Sequence, residues 1–267
     1  MSNCMKAVAA TGLVLVAALV VLAFVGCAEV GPSPTLTGTH YGASRDLGNG
    51  QARAFITLDA RGEPAAIGVR MTEAALAGLP AEPPPDADGW EYLLPLPKEA
   101  AASGYDHVVL DWNPRGHIPP GVYDVPHFDF HFYLMSQGER QKITAVGDDL
   151  ARTHRAPLPD RMPEGYVLPE GTAVPRMGGH AINPGAPEFH QQPFTRTFLY
   201  GFYDGEVIFV EPMVTQAFLQ TKPDVVEPVR LPRAVARPGY YPTRYSVKYD
   251  AATREYVIAL ENLVRKP

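Results

Sequence analysis

The chain has 267 residues and a formal net charge of -6, with 46% hydrophobic and 19% charged residues. Binding to nucleic acid needs concentrated Lys and Arg, so this charge balance, without a basic stripe, argues against a nucleic-acid partner. Proline, with 28 residues, is about twice as frequent as in average proteins. Because proline is excluded from the interiors of central strands and helices, we expect short elements joined by long ordered connections.

The N-terminal segment resembles a bacterial lipoprotein signal. Lys6 is the only charge before an apolar run over residues 7–25, which leads into Cys27. We therefore predict a signal peptide at residues 1–26, lipidation of Cys27, export, and anchoring to a membrane of the bacterial cell envelope. An uncleaved signal anchor is the alternative, since the run approaches the ~18 residues that span a bilayer. Cys4 is the only other cysteine, so we expect a mature fold without disulfides.

The rest of the chain divides into a linker and a folded part. Residues 27–39 are small, proline-containing and almost uncharged, which predicts a flexible tether. Residues 40–267 have a suitable length for a single β-rich domain. Runs of β-branched and aromatic residues between turn signals predict strands at 51–58, 65–71, 107–112, 125–135, 194–203, 206–210, 244–249 and 255–263.

Helical signals are few. Residues 72–79 combine a capping threonine with helix formers, which predicts about two turns of helix. Asp204-Gly205 is a two-residue link that predicts a tight hairpin between its flanking strands. The predicted fold class is all-β, mainly an antiparallel sandwich or barrel, with a few short helices.

The stretch VPHFDFHFYLM, residues 125–135, alternates polar and apolar side chains. Alternate residues of a strand face opposite sides. One face therefore carries Phe128, Phe130, Phe132 and Leu134, and the other carries His127, Asp129, His131 and Tyr133. The apolar face is predicted to be core. Ordinary solvent exposure is one reading of the polar face, but aspartate is depleted in strands, so we favour a functional face that binds a divalent metal ion such as Zn, Cu, Fe or Mn.

Strand geometry limits how this face could bind metal. His127 and His131 are ~13 Å apart at Cα in an extended strand, whereas residues two apart are separated by ~6.7 Å. We therefore expect Asp129 to share an ion with one histidine, while the other histidine supports the site or binds substrate. The best further ligand is His180, which paired glycines would aim into the site from a loop. A surface turn is the alternative for that segment.

Three further residues are candidate ligand contacts. His117 lies in a proline-rich loop shortly before the motif strand, and Tyr133 is on the polar face of that strand. Glu211 follows an apolar run and is either the exposed end of a strand or a carboxylate ligand, because an unpaired glutamate is rarely buried.

Long stretches of the chain resemble an uncharacterised family of bacterial exported proteins. The resemblance runs from about residue 42 to residue 220 and includes WNPRGHIPPGVYDVPHFDFHFYLM, with its His-Phe-Asp-Phe-His-Phe signature. It implies a single β-rich domain of unknown function and brings no established activity.

Three functions are compatible with these patterns. The first is a metal-binding protein of the cell envelope, in one form a metalloenzyme acting on a small molecule, with His127, Asp129, His131 and His180 as metal ligands. The second is a non-catalytic module that binds an organic ligand or a protein through its aromatic residues and histidines. The third is a structural lipoprotein that forms homo-oligomers, whose edge strands are covered by neighbouring copies.

Overall fold

The computed structural model of the protein describes residues 36–267. The predicted signal peptide, the predicted lipidation site Cys27 and most of the predicted tether lie outside the described residues. The first strand, β1, begins at Gly38 and so overlaps the end of the predicted tether. Among the helices of residues 36–267, none is long and apolar enough to cross a membrane.

Two antiparallel sheets of seven strands each form the fold. The first sheet consists of β1 (Gly38–Tyr41), β2 (Arg45–Leu47), β3 (Gly50–Leu58), β4 (Pro64–Thr72), β12 (Asp224–Pro228), β13 (Gly239–Asp250) and β14 (Glu255–Lys266). The second consists of β5 (Trp90–Pro95), β6 (His107–Asn113), β7 (His127–Tyr133), β8 (Ala173–Val174), β9 (Gly178–Ala181), β10 (Arg196–Tyr203) and β11 (Glu206–Thr215). The predicted all-β class is confirmed.

The order of strands places the motif strand at the centre of its sheet. The second sheet runs β5-β6-β7-β11-β10-β9-β8, so β7 has β6 on one side and β11 on the other. The first sheet runs β1-β3-β4-β14-β13-β12, with β2 also paired to β3. The β10-β11 hairpin predicted from Asp204-Gly205 is present, and the strands predicted at 51–58 and 65–71 and at 244–249 and 255–263 also pair as the hairpins β3-β4 and β13-β14.

The helices are short, as predicted. They are α1 (Gln137–Arg140), α2 (Leu150–Thr153), α3 (Gln216–Gln220) and single 3₁₀ segments at Glu73–Leu76, Lys98–Ser103, Gly147–Asp149 and Pro187–His190. The prediction of two helical turns over residues 72–79 is wrong in length and type. The Thr72 hydroxyl accepts a hydrogen bond from the backbone N–H of Gln51 at 3.1 Å instead of capping the helix, which ends within one turn.

The main core lies between the two sheets and is rich in aromatic residues. Phe128, Phe130 and Phe132 of β7 are fully buried in it, as the alternation predicted. They share this core with first-sheet residues that include Ile67 and Ile258. Burial of each phenylalanine contributes ~1.5–3 kcal/mol relative to exposure, so this face fixes the register of β7.

Strand β11 is longer than the sequence indicated. The predicted strand ended at Val210. The structure continues the strand to Thr215, and the register between β7 and β11 skips from Val210 to Met213. Glu211 therefore lies inside a central strand and is 1% exposed, which excludes the exposed strand end as its position.

Candidate functional site

The polar face of β7 is as deeply buried as its apolar face. His127, Asp129 and His131 are exposed by 0%, 3% and 1% of their surface. The connection from β6 to β7 and the segment before β10 cover this face, and Tyr123 and Phe194 pack together there with ring centroids 4.9 Å apart. Ordinary solvent exposure of the polar face is therefore wrong, and its charged groups must be satisfied by one another or by a bound ion.

One cluster of side chains surrounds Asp129. His127 Nε2 lies 3.2 Å from Asp129 Oδ1, and His117 Nε2 lies 3.2 Å from Asp129 Oδ2. Asn113, on the neighbouring strand β6, donates a hydrogen bond of 2.6 Å from Nδ2 to Asp129 Oδ2. His117, Asp129 and His127 could hold a metal ion, and we call them the first cluster.

A second cluster surrounds Glu211. His131 Nε2 lies 3.3 Å from Glu211 Oε1, and His180 Nε2 lies 3.8 Å from Glu211 Oε2. These three residues come from β7, β9 and β11 and could likewise hold a metal ion, so we call them the second cluster. Asp111 of β6 borders it, with Oδ2 3.1 Å from His131 Nδ1.

Backbone carbonyl oxygens orient three of the four imidazoles through hydrogen bonds at Nδ1, and a carboxylate faces Nδ1 of the fourth. The Nδ1 atoms of His117, His127 and His180 lie 2.8, 2.6 and 2.9 Å from the carbonyl oxygens of Ile118, Val125 and Thr172. The Nδ1 atom of His131 faces the Asp111 carboxylate. An acceptor at Nδ1 favours the tautomer with its proton there, which leaves the Nε2 lone pair as a donor atom to metal.

The spacing of the donor atoms suits a small cation. Ligands bound tetrahedrally at 2.0–2.1 Å are separated from each other by ~3.3 Å. The histidine–carboxylate separations in the clusters are 3.2–3.8 Å, and all ligand atoms of a cluster lie within 4.8 Å of one another. In and beside the clusters, seven buried polar atoms have no hydrogen-bond partner among residues 36–267. They are His127 Nε2, Asp129 Oδ1, His131 Nδ1 and Nε2, Asp111 Oδ1 and Oδ2, and Glu211 Oε2. A cation bound at each cluster would satisfy four of the seven, which are His127 Nε2, Asp129 Oδ1, His131 Nε2 and Glu211 Oε2, so the residues fit a metal ion.

The pKa values of the ionisable residues are shifted differently in the two clusters. Burial opposes the charged form of His117, but the adjacent Asp129 carboxylate outweighs it, and the pKa of His117 rises to about 9. Burial would raise the pKa of Asp129, but His127 and His117 hold it well below its usual range. The first cluster therefore contains an ionised carboxylate.

In the second cluster, burial affects the pKa of Glu211 and His180 more than neighbouring charges do. It raises the pKa of Glu211 above its usual value, although His131 lowers it. Burial also lowers the pKa of His180 to about 4. His131 behaves differently, because Glu211 and Asp111 overcome its burial and raise its pKa to about 9. A metal ion bound at either cluster would replace protons that otherwise compensate buried carboxylates.

The structure divides the four predicted metal ligands between the two clusters. His127 and Asp129 lie together in the first cluster, while His131 and His180 belong to the second cluster. The strand geometry had left open which histidine adjoins Asp129. His180 was expected on a loop, but it lies in β9. The paired glycines serve close packing there: a Cβ on Gly179 would lie 2.6 Å from the carbonyl oxygen of Thr153.

Of the three candidate ligand contacts, the structure brings two into the clusters. His117 contacts Asp129, and Glu211 joins His131 and His180. Tyr133 lies in neither cluster. Its ring stacks on His107 with centroids 4.7 Å apart, and its hydroxyl donates to the carbonyl oxygen of Arg176 at 3.3 Å.

Sequence reasoning missed Asp111 and Asn113. Both lie on β6, where the register pairs Asp111 with Asp129 and Asn113 with His127. The signal was present, because aspartate inside a predicted strand is as unusual at 111 as at 129. His107, also left out, is buried beside Asp106 with Nδ1 2.8 Å from the carboxylate.

Comparison with known proteins gives a partial family match and no activity. A family model described as "TTHB210-like: Hypothetical protein TTHB210" matches residues 59–112. This similarity is consistent with an uncharacterised family, and it ends before the His-Phe-Asp-Phe-His-Phe signature. The comparisons with curated proteins and with solved structures gave no match.

Proposed function

We propose that this protein binds divalent transition-metal ions through the two clusters on the buried polar face of its second sheet. The observation that carries the proposal is the convergence of imidazole Nε2 atoms on Asp129 and on Glu211, with Nδ1 of each imidazole facing an acceptor. Buried donor atoms that lack hydrogen-bond partners within the described range support it, since such atoms are costly unless a ligand satisfies them.

The donor set narrows the class of metal. Each cluster offers two imidazole nitrogens and one carboxylate, a set that suits Zn, Fe, Cu and Mn. Calcium and magnesium prefer sites made entirely of oxygen ligands, so they are disfavoured.

Each cluster supplies three protein ligands, which leaves a coordination position for water or a substrate atom. This arrangement supports a metalloenzyme acting on a small molecule as the catalytic form of the proposal. The alternative, a non-catalytic module that binds an organic ligand or a protein through aromatic residues, has less support. Tyr123 and Trp112 are 2% and 4% exposed, so neither presents a free face to a ligand.

The test is metal content. The full chain, purified without a metal-affinity step, should contain near-stoichiometric metal, and His127→Ala/His131→Ala should lose it. His40→Ala/His190→Ala is the matched control, because these partly exposed histidines belong to neither cluster. A well-folded wild type that is metal-free and takes up no added Zn²⁺ or Cu²⁺ would exclude the proposal.

We also propose export and lipid anchoring, supported by the apolar run at residues 7–25 and by Cys27. These residues lie outside the described part of the chain. Cys27→Ser should move the protein from the membrane fraction to the soluble fraction in bacterial cells. Continued membrane association of the variant would favour the uncleaved signal anchor instead.

A further inference from the structure

Three carboxylates form a row across the second sheet. The register places Glu91 of β5 opposite Asp111 of β6, and Asp111 opposite Asp129 of β7. Residues directly opposite on one face have Cβ atoms ~4.5–5.5 Å apart, and like charges at this distance destabilise a sheet. Such a row requires compensating positive charge.

Two members of the row have partners. Glu91 accepts hydrogen bonds from Arg140 at 3.0 Å and from Arg176 at 2.8 Å. Asp129 forms ion pairs with His117 and His127 and accepts a hydrogen bond from Asn113. The outer carboxylates are therefore accounted for.

Asp111, in the middle of the row, is compensated less than its two neighbours. It is 3% exposed, and neither of its carboxylate oxygens has a hydrogen-bond partner among residues 36–267. Its one ion-pair contact is His131 Nδ1 at 3.1 Å. Asp111 thus adjoins Asp129 of the first cluster and His131 of the second.

The unpartnered buried atoms distinguish one bound ion from two. The two clusters share no residue, and each contains two such atoms: His127 Nε2 and Asp129 Oδ1 in the first, and His131 Nε2 and Glu211 Oε2 in the second. One ion would leave one of these pairs without a partner, whereas two ions would satisfy both pairs. Unsatisfied buried polar atoms are costly, so two ions suit the site better than one.

The positions of the clusters allow both ions to bind at once. Asp129 and His131 are two residues apart on β7, a separation of ~6.7 Å at Cα, so the ions would be near neighbours. Two dications at such a distance repel each other unless anionic groups lie close to both. Asp111 is the carboxylate in that position.

We propose that the two clusters bind two divalent transition-metal ions together as one centre, and that Asp111 couples them. Its carboxylate lies 3.1 Å from Nδ1 of His131, where it would hold that ligand at the second ion, and its charge would reduce repulsion between the ions. Asp111 is a positioning residue in this arrangement. The inference rests on the proposed metal-binding function.

The experiment is a titration of the chelator-stripped full chain with Zn²⁺, followed by calorimetry and elemental analysis. Wild type should bind two ions per chain, and His127→Ala and His180→Ala should each bind one. Asp111→Asn should keep the affinity for one ion and weaken the other by 10- to 100-fold, as is typical for loss of an acceptor behind a ligating histidine. Asp106→Asn is the control, because that exposed carboxylate contacts His107 and neither cluster.

The outcomes separate the two proposals. A folded wild type that binds no Zn²⁺ excludes metal binding and the two-ion centre together. One ion per wild-type chain, or two ions whose affinities are unchanged in Asp111→Asn, overturns the two-ion inference and leaves metal binding intact. If Asp111→Asn does not fold, Asp111→Ser is the second variant, and the stoichiometries of wild type and the two histidine variants still decide the number of ions.

Discussion

Asp111 lies directly opposite Asp129 in the pairing of β6 and β7, and both carboxylates are buried. Opposed like charges weaken a sheet unless a cation compensates them, so Asp111→Asn should act in opposite directions with and without metal. In the presence of a chelator, we expect the variant to be more stable than wild type by about 1 kcal/mol. With saturating Zn²⁺, it should be less stable than wild type.

Urea unfolding in the two conditions measures this difference. Asp106→Asn should change stability equally in both conditions, because its carboxylate lies outside the clusters. A loss of stability in Asp111→Asn that is the same with chelator and with Zn²⁺ would show that Asp111 has only a structural role.

Removing metal should lower the melting temperature of the wild type. A ligand present at 100 times its Kd stabilises the folded state by ~2.7 kcal/mol, which for a domain of this size corresponds to roughly 5–10 °C. Differential scanning calorimetry with and without chelator tests this expectation. In His127→Ala/His131→Ala the two melting curves should coincide, and a chelator-induced shift that persisted there would point to metal bound elsewhere.

Metal binding at the second cluster should depend on Gly201, although this residue is not a candidate ligand. A Cβ at this position would lie 2.1 Å from the ring of Phe209. That ring packs against His131 and His180 with centroids 4.8 and 5.4 Å apart. Gly201→Ala should therefore displace both imidazoles, cost ~1–3 kcal/mol of stability and weaken Zn²⁺ binding at one of the two sites.

Gly138→Ala is the matched control for this change. A Cβ at Gly138 meets nothing within 4 Å, and the residue lies in the short helix α1. Stability and Zn²⁺ affinity should stay at wild-type values or rise slightly in the control. Unchanged Zn²⁺ binding in Gly201→Ala would mean that Phe209 does not hold the imidazoles in place.

Acid stability should depend on Glu73, far from the clusters. Lys222, Arg254 and Tyr249 hydrogen-bond to its carboxylate and lower its pKa to about 2, from a usual value of 4.5. Because the pKa is lower in the folded state, the stabilisation is complete above pH 4.5 and is lost as the pH falls towards 2. Glu73→Gln removes this dependence, so its unfolding free energy should change less steeply than that of wild type between pH 4.5 and 2.

Glu170→Gln is the control, because the Glu170 carboxylate is exposed and forms no ion pair in the described structure. Its unfolding free energy, measured with urea across the same pH range, should follow the wild-type curve. Equal slopes for Glu73→Gln and wild type would contradict the role of the Glu73 carboxylate.

Local patterns were sufficient to predict most of the sheet structure. Alternation in HFDFHFY defined the core face of β7, and the Asp204-Gly205 turn defined the β10-β11 hairpin. The end of β11 was less predictable. Pro212 argues against a central strand, but the structure accommodates it by omitting partners for Glu211 and Pro212 in the register with β7. Only the neighbouring strand reveals that solution.

The candidate site was likewise predictable only as far as the spacing along one strand determines it. Spacing along β7 predicted that only one of the two histidines adjoins Asp129, because one strand fixes those distances, but it did not say which histidine. The partners of His131 depend on which strands are adjacent. Glu211 and Asp111 come from the two strands beside β7, and a single sequence without an alignment carries no record of that adjacency. The loop before β7 did make His117 a candidate ligand contact, but its specific partner, Asp129, could not be predicted from the sequence.

The adjacency of β7 and β11 has a consequence for unfolding kinetics. An ion joining His131 to Glu211 would act as a reversible cross-link between positions about 80 residues apart, closing a long loop in the unfolded chain. Such a link would slow global opening and protect the intervening segment, which contains long irregular connections and only short helices, from proteases. On the proposed function, metal supply would therefore set how long the protein survives outside the cytoplasm, as well as whether its site is complete.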